Sequence, residues 1–239
     1  MTHLLVDGDI VLYSSSVATE HAVHWNDDVW VLSANLEQAR DMARKYLDDI
    51  TEKLEATKVT ICLSGKGNFR YGLNPNYKSN RKDSRKPIVY PELKEWMINN
   101  YGAQVEDKLE ADDLLGIMAT REPRAIIVSP DKDMQCVPCR LYRQGELMDI
   151  SPMEANYFHM LQTLTGDPTD GYPGCPGVGA VTAKKLLAGT PDTWWGSVLQ
   201  AYQKAGCTDD DALLNARMAY ILRDENWIDG KVKLWEPSC

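Results

Sequence analysis

The first 150 residues of this 239-residue chain alternate between short apolar segments and stretches with helical spacing. The apolar segments at residues 4–6, 59–63 and 125–128 have the length and composition of buried strands. Helical patterns fill the intervals at residues 35–56, from Pro91 onward, and at residues 110–120. Strands that alternate with helices predict an α/β domain built on a mostly parallel sheet.

Polar residues stand where these predicted strands end. Asp7 follows the first strand, Ser64 follows the second, and Asp131 comes shortly after the third. In parallel sheets, ligands collect beyond the carboxyl ends of the strands. We therefore expect Asp7, Ser64 and Asp131 to border one pocket.

Eight carboxylates form four short clusters along the chain. One fold could gather them into a single pocket, where they would raise one another's pKa values unless cations were held there. Hard divalent ions such as Mg2+ take oxygen ligands of this kind, so the pattern predicts a metal centre. The clusters are Asp7; Glu110, Asp112 and Asp113; Asp131 and Asp133; and Asp167 and Asp170.

Three of the four clusters, taken singly, also have an ordinary structural explanation for at least one of their acids. Acids in the first turn of a helix, as at Glu110, interact favourably with the helix dipole. Asp133 is positioned to cap a helix, and Asp9 to be the N-cap of the first helix. Asp7 precedes a glycine, as in a common turn. The metal interpretation therefore depends on the clusters occurring together.

A basic segment lies between the first two acidic clusters, within a polar loop at residues 64–90. A solvated surface loop is the simpler interpretation of such a run. However, Tyr77 beside Lys78 permits base stacking next to a phosphate contact, and Lys78 and Arg81 are spaced to reach one phosphate. The predicted nucleic-acid contacts here are Tyr77, Lys78, Arg81, Lys82, Arg85 and Lys86.

A glycine- and proline-rich segment at residues 166–179 resembles a hairpin between two helices. Glycines let backbone amides approach a phosphate, and the N-terminus of the following helix favours an anion. Gly177, Gly179, Lys184 and Lys185 are therefore candidate contacts to a DNA backbone. A tight turn would also explain the glycines, but it leaves the adjacent pair of acids unexplained.

Composition and charge restrict the classes of protein to which this chain can belong. A hydrophobic content of 44% is sufficient for a folded core, and no apolar run is long enough for a membrane span. The net charge of −9 does not exclude nucleic-acid binding, because bound metal would neutralise several acids. The N-terminus lacks the features of a signal peptide, so we expect a cytoplasmic protein.

Cysteine, histidine and tryptophan residues are assigned structural roles. Cys136 and Cys139 have the spacing of a metal knuckle, but no second pair stands at zinc-finger distance. None of the four histidines has metal-ligand spacing.

The pattern becomes almost wholly helical after Pro152, which predicts an α/β catalytic domain at residues 1–150 and a helical DNA-binding subdomain at residues 151–239.

Taken in order, these motifs resemble the 5′-nuclease family, which comprises flap endonucleases, the 5′-nuclease domain of bacterial DNA polymerase I, and phage 5′–3′ exonucleases. The resemblance implies a PIN-like, mostly parallel sheet flanked by helices, followed by a helix–hairpin–helix-type motif. The motifs that carry it are Val6-Asp7-Gly8, Tyr77-Lys78-x-Asn80-Arg81, Glu110-x-Asp112-Asp113, Ser129-x-Asp131-Lys132-Asp133, and Gly166-Asp167-x-x-Asp170 through Gly177-Val178-Gly179-x-x-Thr182-Ala183.

The resemblance also implies roles for the candidate site residues. It implies two Mg2+ ions, replaceable by Mn2+, which would activate a water molecule and stabilise the attacking and leaving oxygens. Lys78 and Arg81 would steady the scissile phosphate, Tyr77 would stack on a base, and the hairpin would grip duplex DNA and hold K+. The first ion would be held by Asp7, Glu110 and Asp112, and the second held or oriented by Asp131, Asp133, Asp167 and Asp170, with Asp113 close by.

The implied function is metal-dependent 5′–3′ exonuclease activity in DNA replication, exerted by a monomer on duplex DNA with 5′ ends or 5′ flaps, or on RNA–DNA hybrids. Two departures qualify it: Ser64-Gly65 replaces a family acid, which weakens the first metal site, and the short basic segment favours exonuclease over flap endonuclease action. Two alternatives stay open: a DNA-end binding protein of the same fold without catalysis, and a PIN-type ribonuclease.

Overall fold

The computed structural model describes residues 2–25, 28–81 and 84–237. Its strands are β1 (His3–Asp7), β2 (Glu20–His24), β3 (Trp30–Ala34), β4 (Lys58–Ser64), β5 (Gln104–Glu106), β6 (Ile126–Val128), β7 (Cys139–Arg143), β8 (Glu146–Ile150), β9 (Trp227–Ile228) and β10 (Lys231–Val232). Its helices are α1 (Gly8–Ala18), α2 (Leu36–Lys53), α3 (Arg70–Leu73), α4 (Tyr90–Tyr101), α5 (Ala111–Arg121), α6 (Pro152–Thr165), α7 (Ala180–Leu186), α8 (Pro191–Lys204) and α9 (Asp209–Ala219). Short 3-10 turns span Ser79–Arg81, Lys132–Cys136 and Asp224–Asn226.

A six-stranded sheet in the order β5-β4-β1-β6-β7-β8 forms the centre of the α/β part. All neighbouring strands in it are parallel except the pair β7 and β8. The central strand β1 is buried along its whole length, as expected for a parallel strand covered on both faces. The prediction of a mostly parallel sheet flanked by helices is confirmed.

Two hydrophobic cores cover the two faces of this sheet. Successive side chains of a strand point to opposite faces, so Leu4 and Val6 pack on one side and Leu5 on the other. Apolar residues of α1, α2 and α4 complete the first core, and those of α5 complete the second. The alternating pattern of strands and helices thus fixes where each core lies.

The chain after β8 is mostly helical, as predicted, but it does not stay apart from the sheet. Helices α6, α7 and α8 build a third core around Leu164, Val198 and Tyr202. After α9, Tyr220, Ile221 and Leu222 join the core beneath α5. A two-stranded ribbon of β9 and β10 follows, which the helical pattern did not predict.

Local features of the fold include a pair of antiparallel strands outside the main sheet and the cap of the first helix. Strands β2 and β3 pair antiparallel, and Asn26 and Asp27 between them lie outside the described residues. Asp7, not Asp9, caps α1 through the Ile10 amide. No helix in the described part of the chain combines the length and the apolar character needed to cross a membrane.

Candidate functional site

A cleft of about 420 Å³ opens where β1, β4 and β6 end. This is the edge at which the polar residues following these strands were predicted to meet, and Asp7, Ser64 and Asp131 all line it. Seven of the eight predicted carboxylates border the cleft, namely Asp7, Glu110, Asp112, Asp131, Asp133, Asp167 and Asp170.

Asp7 lies at the junction of β1 and α1, at the floor of the cleft. One carboxylate oxygen caps α1 by accepting the Ile10 amide at 3.3 Å, and the other accepts the Ser129 hydroxyl at 2.8 Å. Burial raises the pKa of Asp7 from its ordinary value of 3.8 to about 6; the Ser129 hydrogen bond opposes this, and the nearby charge of Asp9 adds to it.

Asp131 caps the 3-10 turn Lys132–Cys136 by accepting the Asp133 amide at 2.8 Å. The cap predicted at Asp133 is therefore provided by Asp131. The tight turn brings the carboxylates of both residues to the cleft. Gln162 on α6 donates a hydrogen bond to Asp133 at 2.5 Å, which ties this turn to the helical part.

The N-terminus of α5 brings Glu110 and Asp112 to the cleft. Burial and the charges of Asp7 and Asp131 raise the pKa of Asp112. Burial also acts to raise the pKa of Glu110, but Lys78 and Arg70 outweigh it and lower that pKa. The two acids are only two positions apart, yet their pKa values shift in opposite directions. The reason is that Lys78 and Arg70 form ion pairs with Glu110.

Asp113 was predicted near the metals, but its side chain does not line the cleft. It is fully buried, and its oxygens accept two guanidinium hydrogen bonds from Arg70 at 2.7 and 2.8 Å. The amides of Leu222 and Glu110 donate to the same oxygens at 3.2 and 3.3 Å. In this arrangement both oxygens of the Asp113 carboxylate accept hydrogen bonds from protein groups, so neither is available to bind a metal.

Basic side chains lie between the acids on one side of the cleft. The Lys78 ammonium lies 2.6 Å from Glu110 and 3.7 Å from Asp170, and Arg81 lies 2.9 Å from Asp170. The Lys132 ammonium lies 3.0 Å from Asp133 and 3.1 Å from Asp167. Lys132 was not among the predicted site residues, although it stands between two of them in the sequence.

The donor set of the cleft fits a hard divalent cation. Its acidic ligands are all carboxylates, and burial together with mutual repulsion makes Asp7 and Asp112 difficult to ionise without a cation. Within the described ranges, no three acid, histidine or cysteine side chains yet converge at coordinating distance. Lys78 lies between Glu110 and Asp170, and Lys132 lies between Asp133 and Asp167, so each ammonium group occupies space between two carboxylates of the cleft.

Tyr77 was predicted to stack on a base, but its side chain is 2% exposed. Its hydroxyl donates to Glu110 at 2.8 Å and lies 3.4 Å from Asp170. The ring packs with Tyr172 and Met218 in a small fourth core. In this arrangement neither face of the ring is open to a base, which opposes the predicted stacking role.

Among the described residues, the other predicted nucleic-acid contacts do not line the cleft. Arg85 forms an ion pair with Glu20, and the Lys86 ammonium lies 4.4 Å from the centre of the Tyr90 ring. Lys82 lies outside the described residues. Gly177 has a left-handed φ of 76°, Gly179 is the N-cap of α7, and Lys184 and Lys185 are exposed on that helix; none of these four lines the cleft.

Sequence reasoning missed Asp9, which also lines the cleft. It accepts hydrogen bonds from the backbone amide of Ser64, at 3.2 Å, and from the Ser64 hydroxyl. The available signal was the spacing Asp7-Gly8-Asp9, which puts a second carboxylate in the first helical turn after the strand.

Known proteins match this chain over most of its length. Residues 2–158 match the model of a family described as 5′–3′ exonuclease, N-terminal resolvase-like domain. An exodeoxyribonuclease of Enterobacteria phage T3 is 29% identical, and the match covers 98% of this chain and 92% of that protein. An exonuclease of Escherichia phage T7 is 27% identical, with 98% and 93% covered.

Solved nucleases share the fold. A bacteriophage T5 flap endonuclease, in a pseudo-enzyme-product complex with DNA and metal ions, has a TM-score of 0.68 and 14% identity, with 92% of this chain and 89% of that chain covered. The catalytic core of Rad2 in complex with a DNA substrate has a TM-score of 0.51 and 13% identity, with 89% and 71% covered. At these identities, the similarity concerns the fold.

Proposed function

This chain belongs to the 5′–3′ exonuclease family, and from that membership we propose that it hydrolyses phosphodiester bonds at 5′ ends of DNA with divalent metal ions held in the carboxylate cleft. It is a nuclease of the 5′–3′ exonuclease and flap endonuclease type. The single observation that supports the assignment to this cleft is the meeting of seven carboxylates with Lys78 and Arg81 at the ends of β1, β4 and β6.

The carboxylates would hold two ions, Mg2+ or Mn2+, in two groups. Such ions activate a water molecule and stabilise the charge on the attacking and leaving oxygens. Asp7, Glu110 and Asp112 would bind on one side, and Asp131, Asp133, Asp167 and Asp170 on the other. Asp113 would act by fixing the N-terminus of α5 through Arg70, and not as a ligand.

Lys78 and Arg81 would bind the scissile phosphate. Both line the cleft, and both are held beside Asp170. The Lys78 amide also donates to the Asp170 backbone carbonyl at 3.0 Å, so the basic turn is attached to the acidic segment across the cleft. A phosphate entering the cleft would exchange these carboxylate contacts for its own oxygens and would place its negative charge between the two cations.

The segment from Gly177 to Lys185 would contact the duplex backbone away from the cleft. The exposed lysines of α7, the open glycine turn before it, and the separation of this segment from the carboxylates support that role. K+ binding at this turn, action on RNA–DNA hybrids and a monomeric state belong to the same proposal. The division at residue 150 would then separate a catalytic part from a DNA-binding part, with residues 220–222 returning to the catalytic core.

The test uses duplex and 5′-flap DNA labelled at the 5′ end, with Mg2+ added or chelated. The wild-type protein should release short 5′ products only with the metal. Asp131→Ala removes a cleft carboxylate and should lower the rate at least a hundredfold while the protein still binds DNA. The matched control Asp49→Ala removes an exposed acid of α2 and should cleave normally.

Binding without any metal-dependent product in the wild-type protein would instead support the alternative of a DNA-end binding protein. Preferential cleavage of a matched RNA substrate would support the ribonuclease alternative. The flap and blunt substrates, compared at equal concentration, measure the balance between endonuclease and exonuclease action.

A further inference from the structure

Asp9 occupies the same cleft as the predicted metal ligands but belongs to none of their four clusters. It lies in the first turn of α1, two residues after Asp7, and its side chain is partly buried. One of its oxygens accepts the Ser64 amide at 3.2 Å, and the other accepts the Ser64 hydroxyl. Each oxygen thus keeps a lone pair that is not used by Ser64.

The acids of the cleft differ in whether a cation compensates them. Among the described residues, a lysine or arginine lies within 4.0 Å of Glu110, Asp133, Asp167 and Asp170. No ion pair of that length is formed in the described part of the chain by Asp7, Asp9, Asp112 or Asp131. These four carboxylates therefore line the cleft without a direct ion pair, and only longer-range charges act on two of them, Lys94 on Asp9 and Lys78 on Asp112.

Ser64 is positioned to orient the Asp9 side chain through hydrogen bonds, and not to take its place beside the metal. The Ser64 hydroxyl accepts the Ala111 amide at 3.0 Å, so its own proton is directed to Asp9. This short chain of hydrogen bonds joins α1, the end of β4 and the start of α5. The next residue cannot carry a side chain here, because a Cβ on Gly65 would lie 2.0 Å from the Glu106 carbonyl oxygen.

We propose that Asp9 is an additional member of the metal centre, on the side of Asp7 and Asp112, where it holds a metal-bound water molecule, and that Ser64 is its positioning residue. The inference rests on the proposed metal-dependent function. Mg2+ retains several of its waters in protein sites, and a carboxylate that accepts hydrogen bonds from such a water strengthens binding without touching the ion.

The test measures Mn2+ binding to the full chain without DNA, from the electron paramagnetic resonance signal of free Mn2+. Asp9→Asn keeps the shape and one of the two hydrogen bonds from Ser64, but it removes the charge. It should weaken the tighter Mn2+ site ten- to a hundredfold, the usual range for groups just outside the ligands. Ser64→Ala should weaken it less, because the carboxylate remains but is no longer oriented.

The matched control is Asp49→Asn, which removes one negative charge from the exposed face of α2 and should leave the affinity unchanged. The double variant Asp9→Asn with Ser64→Asp moves the charge across the same hydrogen bond and should recover part of the lost affinity. A purely structural role for Asp9 would instead lower the melting temperature of Asp9→Asn and leave Mn2+ binding as in wild type.

Unchanged Mn2+ affinity in Asp9→Asn would overturn the proposal. If that variant does not fold, unchanged affinity in Ser64→Ala overturns it in the same way. Failure of the proposed function looks different, because the wild-type protein itself would then bind no Mn2+ in the cleft and would cleave no DNA.

Discussion

Single carboxylates in this cleft differ because of their immediate contacts. Glu110 is ionised easily because Lys78 and Arg70 outweigh its burial, whereas Asp7 has only the Ser129 hydroxyl and the Ile10 amide to oppose its burial. Sequence position alone predicts neither result. Asp7 and Asp112, whose pKa values are raised by burial, are therefore the acids whose protonation should respond most strongly to added metal.

The pH dependence of stability provides a test at this scale. The pKa of Asp7 is about 6 in the folded protein and 3.8 ordinarily, so the folded state retains a proton that the unfolded state has lost. The contribution of Asp7 to the free energy of unfolding should therefore be fully present below about pH 4 and should fall by about 3 kcal/mol as the pH rises through 6. Metal favours the ionised form, so Mg2+ should stabilise the protein more at pH 7.5 than at pH 5.

Urea denaturation of the wild-type protein and of Asp7→Asn at several pH values measures this effect. Buried His159 has the opposite influence, since burial lowers its pKa to about 4 and its stabilising contribution is lost as the pH falls below 6.5. Both proteins contain His159, so its effect cancels in the difference, which reports Asp7 together with the influence of its charge on the pKa of Asp112. An equal slope in both proteins would show that Asp7 does not titrate in this range.

At the scale of elements, one buried ion pair joins three parts of the fold. Arg70 on α3 binds Asp113 on α5, and it also donates to the carbonyls of Met218 and Tyr220 at the end of α9. The contact fixes the N-terminus of α5, and with it the positions of Glu110 and Asp112. It also links the segment after α9 to the start of α5.

Arg70→Met should destabilise the protein by about 3–5 kcal/mol, because it leaves the Asp113 carboxylate buried without a cation. The double variant Arg70→Met with Asp113→Asn should recover part of this loss, since it removes the buried charge and its amide oxygen can still accept from either the Leu222 or the Glu110 amide. Urea denaturation of the single and double variants measures the recovery. A loss below about 1 kcal/mol in the single variant would contradict this account of the pair.

At the scale of the whole molecule, the distribution of charge matters more than its sum of −9. Acids concentrate in the cleft, whereas exposed Lys184 and Lys185 lie on α7, away from it. An acidic protein of this design should bind DNA weakly when divalent metal is absent. Metal in the cleft would remove much of the local repulsion.

Lys184→Ala combined with Lys185→Ala should weaken duplex binding and lower the slope of log Kd against log salt by about 2, since each phosphate contact contributes about 0.9. Mn2+ affinity should not change, because neither lysine lines the cleft. The matched pair Lys45→Ala with Lys58→Ala removes exposed lysines from α2 and from the start of β4, at the opposite edge of the sheet. Fluorescence anisotropy over a range of salt concentrations measures both variants, and equal slopes would exclude α7 from the duplex contact.

The sequence by itself determined three neighbouring strands of the sheet, the main helices that cover it and the edge where the acids meet. Apolar segments of strand length and helical spacing are local patterns, and parallel strands bring Asp7, Ser64 and Asp131 to one edge wherever they lie along the chain. Seven of the eight predicted carboxylates border the cleft for this reason. The same local reasoning could not separate Asp112 from Asp113, which are neighbours on one helix with different surroundings.

Only the tertiary structure decided which acids have partners. The contacts of Asp9 with Ser64 and of Asp113 with Arg70 join residues 55 and 43 positions apart, and no periodicity in the sequence encodes such pairs. They arise because β1 lies beside β4, and because residues 218–222 return to α5. The physical reason is that the free energy of a buried charge depends on what is packed around it, and packing is fixed only when distant segments meet.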